Sequence, residues 1–255
     1  MAREVWYPPE ASGGRHPLIL FSHFSGGDRR SSSYLCSYLA QAGYIVASID
    51  HAERTMPRPS EAADETEKAA RMQALIASRV PDMLFLLDRM LETRDAPVRV
   101  DPKRIGVAGH SLGGWTALAM PSHDSRIGAV VALAPAGSRN PRPGVIPAPL
   151  EFRWSHPVPA LIVAGDCDIT TPLSGIRDIY ERLPEPKRLE VLAGVDHLHF
   201  VDDAAAQHEA VRAMQFPPEL SWINEEMRPF DELAGEKETH DRVCELTRAH
   251  FDSSL

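Results

Sequence analysis

The chain has 255 residues, of which 43% are hydrophobic, 25% charged and 7% aromatic. This composition is close to that of an average soluble globular protein, which excludes disordered, collagen-like and disulfide-scaffold chains. The 36 acidic residues outnumber the 27 basic ones and give a net charge of −9. That charge argues against a nucleic-acid-binding protein.

The cysteines and the N-terminal residues give information on the cellular compartment of the protein. Cys36, Cys167 and Cys244 are widely scattered and form neither a metal-binding spacing nor a disulfide framework. No apolar run approaches the roughly 20 residues that a membrane span needs. Residues 1–9 also lack the apolar core of a signal peptide. We therefore expect a cytoplasmic protein without a membrane span.

Short apolar, β-rich runs alternate with longer helical patterns along most of the chain. In chain order they predict a strand at 17–23, a helix at 31–42, a strand at 44–50, a helix at 67–93, a strand at 104–109, a helix from Ser111, strands at 127–133, 160–165 and 188–192, and a last helix from about Lys237. Most of the strands are apolar at consecutive positions, as in strands buried on both faces. The pattern predicts one α/β domain over residues 1–255, with a doubly wound, mostly parallel central sheet and helices on both faces.

Two stretches fit this plan poorly. Residues 134–159 contain seven prolines, and residues 215–235 carry aromatic side chains among prolines and acids. Long irregular excursions in a compact domain are usually functional loops or lids, although surface padding is the alternative. We expect apolar pocket wall from Trp154, Trp222 and Phe230, unless they pack in the core or in an interface. Residues 51–66 follow a strand end and are a candidate for the pocket rim.

The most informative motif is Gly-His-Ser-Leu-Gly at residues 109–113, between a predicted strand and a predicted helix. Gly-x-Ser-x-Gly in that setting describes a nucleophile elbow, in which the glycines allow a tight turn that presents the serine hydroxyl. The N-terminus of the following helix offers unpaired N–H groups for a developing oxyanion. Ser111 is therefore the candidate nucleophile. The alternative is a glycine-rich turn with Ser111 as a helix cap.

A nucleophilic serine needs a base, and the base needs an orienting acid. In elbow proteins the acid and then the histidine follow the serine in the chain, each after a later strand. The loop after residues 160–165 offers Asp166 and Asp168, and the loop after 188–192 offers His197 and His199. The two histidines could also indicate a metal site, but no third His or Cys ligand follows nearby, so the pattern favours a triad without metal.

Further polar residues surround these loops. One oxyanion-hole donor should be the backbone N–H of Leu112, and the other that of Phe24 or Ser25 in the loop after the first predicted strand. A plain glycine turn is the alternative for that loop. We also expect site-wall or supporting roles for His23 and His110. Asp202 and Asp203 should cap the next helix.

These motifs resemble the α/β-hydrolases, and within them the bacterial esterases grouped with platelet-activating-factor acetylhydrolase and dienelactone hydrolase. The resemblance covers most of the chain. Its markers are residues 17–23 (PLILFSH), 79–82 (RVPD), 101–106 (DPKRIG), 109–114 (GHSLGG) and 165–168 (GDCD). One departure is Phe24, which stands where this group usually has glycine after the histidine of the oxyanion loop. The short N-terminus is another, since it leaves room for fewer leading strands.

The resemblance implies an α/β-hydrolase fold and a specific triad. It selects Asp168 over Asp166 and His197 over His199, with Ser111 as the nucleophile. It implies hydrolysis of carboxylic esters of small or medium acyl groups through an acyl-enzyme, with a small-molecule substrate and no cofactor. Peptidases, thioesterases and lipases share the same triad, and a non-catalytic binding protein is the alternative from another class. The sequence leaves the oligomeric state open.

Overall fold

A computed structural model of the chain describes residues 2–9, 14–52, 65–93 and 96–255. Its strands are β1 (Arg3–Trp6), β2 (Arg15–Ser22), β3 (Ile45–Ile49), β4 (Arg99–His110), β5 (Ala129–Leu133), β6 (Ala160–Gly165) and β7 (Lys187–Leu192). Within these residues they form one sheet in the order β1-β3-β2-β4-β5-β6-β7. β1 pairs antiparallel with β3, and all other pairs are parallel.

Helices cover both faces of the sheet. They are α1 (Ser33–Gln41), α2 (Glu65–Glu92), α3 (Leu112–Ala119), α4 (Leu173–Arg182), α5 (Ala204–Arg212), α6 (Trp222–Glu226) and α7 (Glu236–Ser254). α1 and α7 share one buried apolar cluster with the sheet, and α2, α3 and α4 share the other. This arrangement confirms the predicted doubly wound α/β fold. No helix in the described ranges combines the length and apolar character needed to cross a membrane.

The consecutive apolar runs explain why the sheet is buried on both sides. Successive side chains of a strand point to opposite faces. On β2, Leu18 and Leu20 enter the cluster with α2 and α3, whereas Ile19 and Phe21 enter the cluster with α1 and α7. Each such side chain stabilises the fold by roughly 1.5–3 kcal/mol relative to exposure. The run therefore encodes a central strand.

Several elements depart from the sequence prediction, among them β1, α4 and β4. β1 was not predicted; it has four residues and only half-buried or exposed side chains, too few for an apolar signal. α4 was not predicted either, because it buries only Ile176 and Ile179. β4 begins at Arg99 rather than at residue 104, since its polar first half still pairs with the start of β2.

The aspartates after the His197 loop have other roles than the predicted one. The Asp202 carboxylate accepts hydrogen bonds from the N–H groups of Ser33 (2.8 Å) and Tyr34 (2.9 Å), so it caps α1 instead of the following helix. Asp203 lies at the N-cap position of α5 with φ 53°, but its side chain makes no capping bond. The prediction was wrong for Asp202, because the chain turns it toward α1, where its own N–H donates to the carbonyl of Ser31. For Asp203 the predicted position at the helix start is correct, but the side-chain cap is not formed.

Strand order determines where the loops meet. The chain moves from β2 to β3 on one side and from β4 to β5 on the other, so the order reverses between β2 and β4. In open α/β sheets, ligands bind in the crevice at the carboxyl ends of the strands on either side of such a reversal. The loops after β2, β4, β6 and β7 all end at that edge. They carry the residues that the sequence singled out.

Candidate active site

Ser111 lies in a strained turn between β4 and α3. Its φ of 58° and ψ of −118° fall outside the regions that serine usually adopts. The turn is held by the Ser111 N–H, which donates to the carbonyl of Leu133 (2.8 Å), and by the Ser111 carbonyl, which accepts from Trp115 N–H (3.0 Å). Such strain costs about 1–3 kcal/mol and persists only where the surroundings enforce it.

The two glycines of the motif are required by close backbone packing. A Cβ at Gly109 would lie 2.2 Å from the carbonyl oxygen of Gly113, and a Cβ at Gly113 would lie 1.9 Å from the carbonyl oxygen of Ser22. Both neighbours are main-chain atoms, which cannot move aside as a side chain can. The Gly-x-Ser-x-Gly pattern therefore lets α3 approach β4 and β2 closely enough to form the turn.

The structure brings the three candidate triad residues together. His197 Nε2 lies 2.9 Å from Ser111 Oγ, and His197 Nδ1 lies 2.8 Å from Asp168 Oδ2. Ser111 does occupy the N-cap position of α3, but its side chain makes no capping hydrogen bond. Its hydroxyl pairs with the imidazole instead. The three side chains form one hydrogen-bonded row, the arrangement of a base and an orienting acid beside a nucleophile.

The surroundings of Asp168 keep it ionised beside the imidazole. The carboxylate accepts hydrogen bonds from the N–H groups of Thr170 (2.8 Å) and Thr171 (2.7 Å) and from the Thr171 hydroxyl (2.7 Å). Burial alone would raise the pKa of Asp168, but the charge of His197 and these bonds lower it overall. Burial would lower the pKa of His197, but the charge of Asp168 and its hydrogen bond raise it overall.

The loop after β2 is oriented by a buried guanidinium. Arg79, which is fully buried on α2, donates to the carbonyl oxygens of His23 (2.5 Å) and Phe24 (3.3 Å). Across a trans peptide, the N–H points opposite to the preceding carbonyl. The N–H groups of Phe24 and Ser25 therefore point away from Arg79. Among the described residues, neither has a hydrogen-bond acceptor.

A cavity of about 270 Å³ opens beside this row of side chains. Phe24, Ser25, Ser111, Leu112 and His197 all border it. Both excursions border it as well, through apolar side chains that include Val145, Ile146, Leu220, Trp222, Ile223 and Met227. The arrangement can hold an uncharged, apolar group next to the serine hydroxyl.

The sequence model of a family described as PETase, PET hydrolase-like, matches residues 2–230. The chain belongs to this PET hydrolase-like family. It is also 27% identical to Cutinase 2 of Thermobifida cellulosilytica over 184 residues, which cover 71% of this chain and 58% of that protein. It is 23% identical to a platelet-activating factor acetylhydrolase of Cavia porcellus over 242 residues, 82% of this chain and 53% of that one.

A solved structure supports the fold of this PET hydrolase-like chain. A ferulic acid esterase from Streptomyces cinnamoneus superposes with a TM-score of 0.67 at 24% identity, covering 95% of this chain and 68% of that one. These matches confirm the resemblance to α/β-hydrolase esterases and to platelet-activating factor acetylhydrolase. The chain spans between half and three fifths of the length of the two curated relatives.

Asp166 and His199, the alternatives to Asp168 and His197 in the sequence, form hydrogen bonds away from Ser111. Asp166 Oδ1 accepts a hydrogen bond from Gly194 N–H (2.7 Å) and so joins the loops after β6 and β7. His199 Nδ1 accepts from Asp196 N–H (3.0 Å), and its Nε2 donates to the carbonyl of Ala234 (3.0 Å). Because His199 is engaged there, the two histidines do not converge on one point. In the part of the chain that the structure describes, no group of three His, Cys, Asp or Glu residues could hold a metal ion.

His110 and His23 lie under the site of this PET hydrolase-like chain. The His110 ring is fully buried, 4.8 Å from the ring of His197 and 5.6 Å from that of Phe24. Neither ring nitrogen has a hydrogen-bond partner among the described residues. Burial, with repulsion from a charged His197, puts the pKa of His110 well below its usual value. His110 is therefore a neutral ring that packs against His197 without lining the cavity. His23 Nδ1 donates to the carbonyl of Phe24 (2.7 Å).

A second row of the same residue types lies at the ends of β2 and β3. Ser22 Oγ lies 2.8 Å from His51 Nε2, and His51 Nδ1 lies 3.1 Å from Asp82 Oδ2. Ser22 and His51 are fully buried, so no substrate can reach this serine. The row therefore ties the ends of β2 and β3 to α2. A Ser, a His and an Asp in contact therefore form a catalytic site only where a substrate can reach the serine.

The aromatic residues proposed as pocket wall divide into three locations. Trp222 lines the cavity. Trp154 packs on the cluster with α3, and its Nε1 donates to the carbonyl of Leu118 (3.3 Å). Phe230 stacks on His199, with ring centroids 4.7 Å apart. The candidate rim at 51–66 falls mostly on residues 53–64, which lie outside the described residues.

Proposed function

We propose that this protein is a serine hydrolase that cleaves carboxylic esters of small or medium acyl groups. The observation that carries the proposal is the hydrogen-bonded row of Ser111, His197 and Asp168 at the edge of an apolar cavity. The names of the relatives, a cutinase and an acetylhydrolase, support the same reaction. The row supplies a nucleophile, a base and an orienting acid, and the cavity supplies room for the ester.

The first half of the reaction forms an acyl-enzyme. Ser111 Oγ attacks the ester carbonyl carbon while His197 Nε2 takes the hydroxyl proton, and Asp168 stabilises the resulting imidazolium. The tetrahedral intermediate then collapses, and the bond between the carbonyl carbon and the alcohol oxygen breaks. His197 gives its proton to the leaving alcohol. The acyl group remains on Ser111.

The second half restores the enzyme with water. His197 takes a proton from the water as its oxygen attacks the acyl carbon, and the collapse of the second intermediate releases the carboxylic acid. The proton then returns to Ser111 Oγ. One ester and one water give one acid and one alcohol. The cycle uses no metal and no organic cofactor.

The negative charge of each intermediate needs preorganised donors. We assign this role to the backbone N–H groups of Leu112, at the start of α3, and of Phe24 and Ser25. The hydrogen bonds of Arg79 support the assignment. Arg79 binds the carbonyl oxygens of His23 and Phe24, so the N–H groups of Phe24 and Ser25 point to the opposite side of the loop. Losing one such donor typically costs about 2.7–4 kcal/mol of barrier.

Replacing the nucleophile tests the proposal. We expect Ser111→Ala to lower the hydrolysis of p-nitrophenyl acetate by at least about a thousandfold, because no other group supplies the attacking oxygen. A fluorophosphonate probe should label the wild type and not this variant. Ser253→Ala, at an exposed position near the end of α7, is the matched control and should keep both properties. Wild-type turnover by folded Ser111→Ala, verified by circular dichroism, would overturn the assignment.

The remaining predictions concern the substrate, the cellular location and the domain organisation of the protein. We infer a small-molecule ester as the partner and keep the cytoplasmic location and the single domain as predictions. The three cysteines are free thiols in the structure, which fits a reducing compartment. A panel of esters, thioesters, lipids and peptides separates the alternatives on the same triad. Absence of both labelling and turnover would favour a binding protein.

A further inference from the structure

The two excursions are joined to each other beside the cavity. Arg142 in the first excursion donates through both terminal nitrogens to the two carboxylate oxygens of Glu226, at 2.6 Å each. The same guanidinium lies 3.8 Å from the centroid of the Trp222 ring. Trp222 Nε1 donates to the carbonyl of Pro143 (3.1 Å). We call Arg142, Trp222 and Glu226 the clasp.

The clasp fixes one guanidinium by several contacts at once. An isolated ion pair at a surface contributes little, since its side chains remain mobile and hydrated. Here the planar group is held in two dimensions by a bidentate carboxylate and in the third by an indole face. Arg142 also donates to the carbonyl of Ile169 (3.4 Å), the residue after Asp168. The clasp is therefore tied to the loop of the candidate acid.

The backbone of the first excursion is shaped to receive the second. Gly144 has φ 75°, which favours glycine, and a Cβ there would lie 2.4 Å from Cδ2 of Leu220. Leu220 and Trp222 thus pack down on the chain beside Arg142. Both line the cavity that reaches Ser111. Through Trp222, the clasp forms part of the wall of the cavity.

The cavity is small and apolar. Its volume of about 270 Å³ lies just below the roughly 300–1,000 Å³ of most small-molecule pockets. The side chains that the excursions contribute, such as Val145, Ile146 and Ile223, are uncharged. A charged acyl group would lose its hydration there without gaining a partner. A long acyl chain would have to displace Trp222 and break its contacts with Arg142.

We propose that the clasp caps the acyl pocket and restricts the enzyme to compact, dissolved esters with a short, uncharged acyl group. This proposal rests on the proposed function and deepens it. Trp222 is the specificity-determining residue, because it supplies both the wall of the pocket and the aromatic face on which Arg142 rests. Long-chain esters and solid polyesters should react poorly, although the family bears the name of a polyester hydrolase.

An acyl series on p-nitrophenyl esters, from acetate through butyrate to octanoate, tests the proposal. The readout is the ratio of kcat/KM for octanoate to that for acetate, because a ratio within one enzyme is insensitive to the fraction of active protein. The variants are Trp222→Ala, which opens the pocket, and Glu226→Gln, which weakens the clasp and keeps the indole. The control is Glu232→Gln, which changes the same charge on the same excursion but faces Arg228 instead of the cavity.

We expect the wild type to prefer acetate and butyrate and to release no product from a polyester film. Trp222→Ala should raise the octanoate-to-acetate ratio at least about tenfold, the lower end of the effect of one methylene group in an apolar pocket. Glu226→Gln should raise the ratio less, and Glu232→Gln should leave it unchanged.

Two different failures can be told apart in this experiment. An unchanged ratio in both Trp222→Ala and Glu226→Gln, in enzymes that still hydrolyse acetate, would overturn the clasp proposal and leave the esterase intact. If Trp222→Ala does not fold, Glu226→Gln decides alone. A wild type that neither hydrolyses any ester nor reacts with the fluorophosphonate would overturn the proposed function, and the acyl specificity with it.

Discussion

A serine hydroxyl is a weak nucleophile at neutral pH, so the groups around Ser111 must supply its reactivity. His197 can accept the proton only when its Nε2 is unprotonated. Asp168 lies on the other ring nitrogen and stabilises the protonated form. The pKa of His197 is therefore raised, although burial of the ring acts in the opposite direction. This balance connects the residue geometry to a measurable pH profile.

We expect kcat/KM for p-nitrophenyl acetate to rise with pH as His197 loses its proton. Because the pKa is raised, the midpoint should lie above the usual value of about 6.5. Asp168→Asn removes the charge that raises the pKa and leaves the burial that lowers it. In that variant the midpoint should shift to lower pH, and activity should fall by about 10⁴-fold.

The neighbouring aspartate provides the control for the pH experiment. Asp166 is two residues away, but its carboxylate accepts from Gly194 N–H and does not contact the imidazole. Asp166→Asn should therefore leave the midpoint unchanged. A flat wild-type profile between pH 5 and 8 would contradict His197 as the base.

The sequence contained enough signal to locate these groups, but not every supporting contact. Gly-x-Ser-x-Gly is a local pattern, so Ser111 stood out from a few residues. Asp168 and Asp166 are indistinguishable by position alone, and the resemblance made the choice. Arg79 belonged to a motif of the resemblance, but its contacts with His23 and Phe24 cross more than 50 residues. The sequence pattern does not indicate which backbone carbonyls the guanidinium of Arg79 will contact.

At the scale of elements, the turn of Ser111 depends on how closely α3 approaches β2. The carbonyl of Ser22, at the end of β2, lies against Gly113, which has no Cβ. The first N–H groups of α3 thereby stay level with the carboxyl edge of the sheet. This contact between two elements, and not the serine alone, places the hydroxyl and the Leu112 N–H beside the loop after β2.

Adding one methyl group at this contact should disrupt the turn. In Gly113→Ala the new Cβ would lie 1.9 Å from a main-chain oxygen, so α3 or β2 must shift. We expect a loss of about 1–3 kcal/mol in the free energy of unfolding, measured in urea, with a drop in esterase activity. Gly235→Ala is the control, because no atom lies within 4 Å of a Cβ there. Equal stability of the two variants would contradict the packing argument.

The prediction of secondary-structure elements succeeded for strands that are buried on both faces of the sheet. β3, β5 and β6 are buried along their whole length, and apart from Ser48 in β3 their residues are apolar or glycine. Prediction failed for β1, a four-residue edge strand whose pairing with β3 comes from main-chain hydrogen bonds and not from an apolar run. In the second excursion, the short helix α6 has no buried residue, so it could not be predicted from an apolar periodicity.

Over the whole molecule, residues far apart in sequence hold the His197 segment in place. The Ser32 hydroxyl donates to the carbonyl of Phe200 (2.9 Å), and Asp202 caps α1. Tyr34 on α1 stacks on His240 of α7, with ring centroids 3.7 Å apart. The first and last helices thus form one layer with the segment that carries the histidine. These contacts join residues separated by up to about 200 positions and leave no local trace in the sequence.

The cap at Asp202 allows the energy of this long-range connection to be measured. Asp202→Ala leaves the N–H groups of Ser33 and Tyr34 without their carboxylate acceptor. We expect the free energy of unfolding in urea to fall by about 1–2 kcal/mol, as for other lost helix caps. Activity below the unfolding transition should change little, because the hydrogen bonds of His197 to Ser111 and Asp168 do not involve this carboxylate.

The adjacent aspartate distinguishes a cap from a general charge effect. Asp203 is exposed, makes no capping bond and has φ 53°, a conformation that asparagine tolerates as well as aspartate. Asp203→Asn removes the same charge one residue away and should keep the stability of the wild type. If Asp202→Ala proved as stable as Asp203→Asn, the contact between Asp202 and α1 would be energetically neutral. The His197 segment would then be held mainly by the apolar layer of α1 and α7.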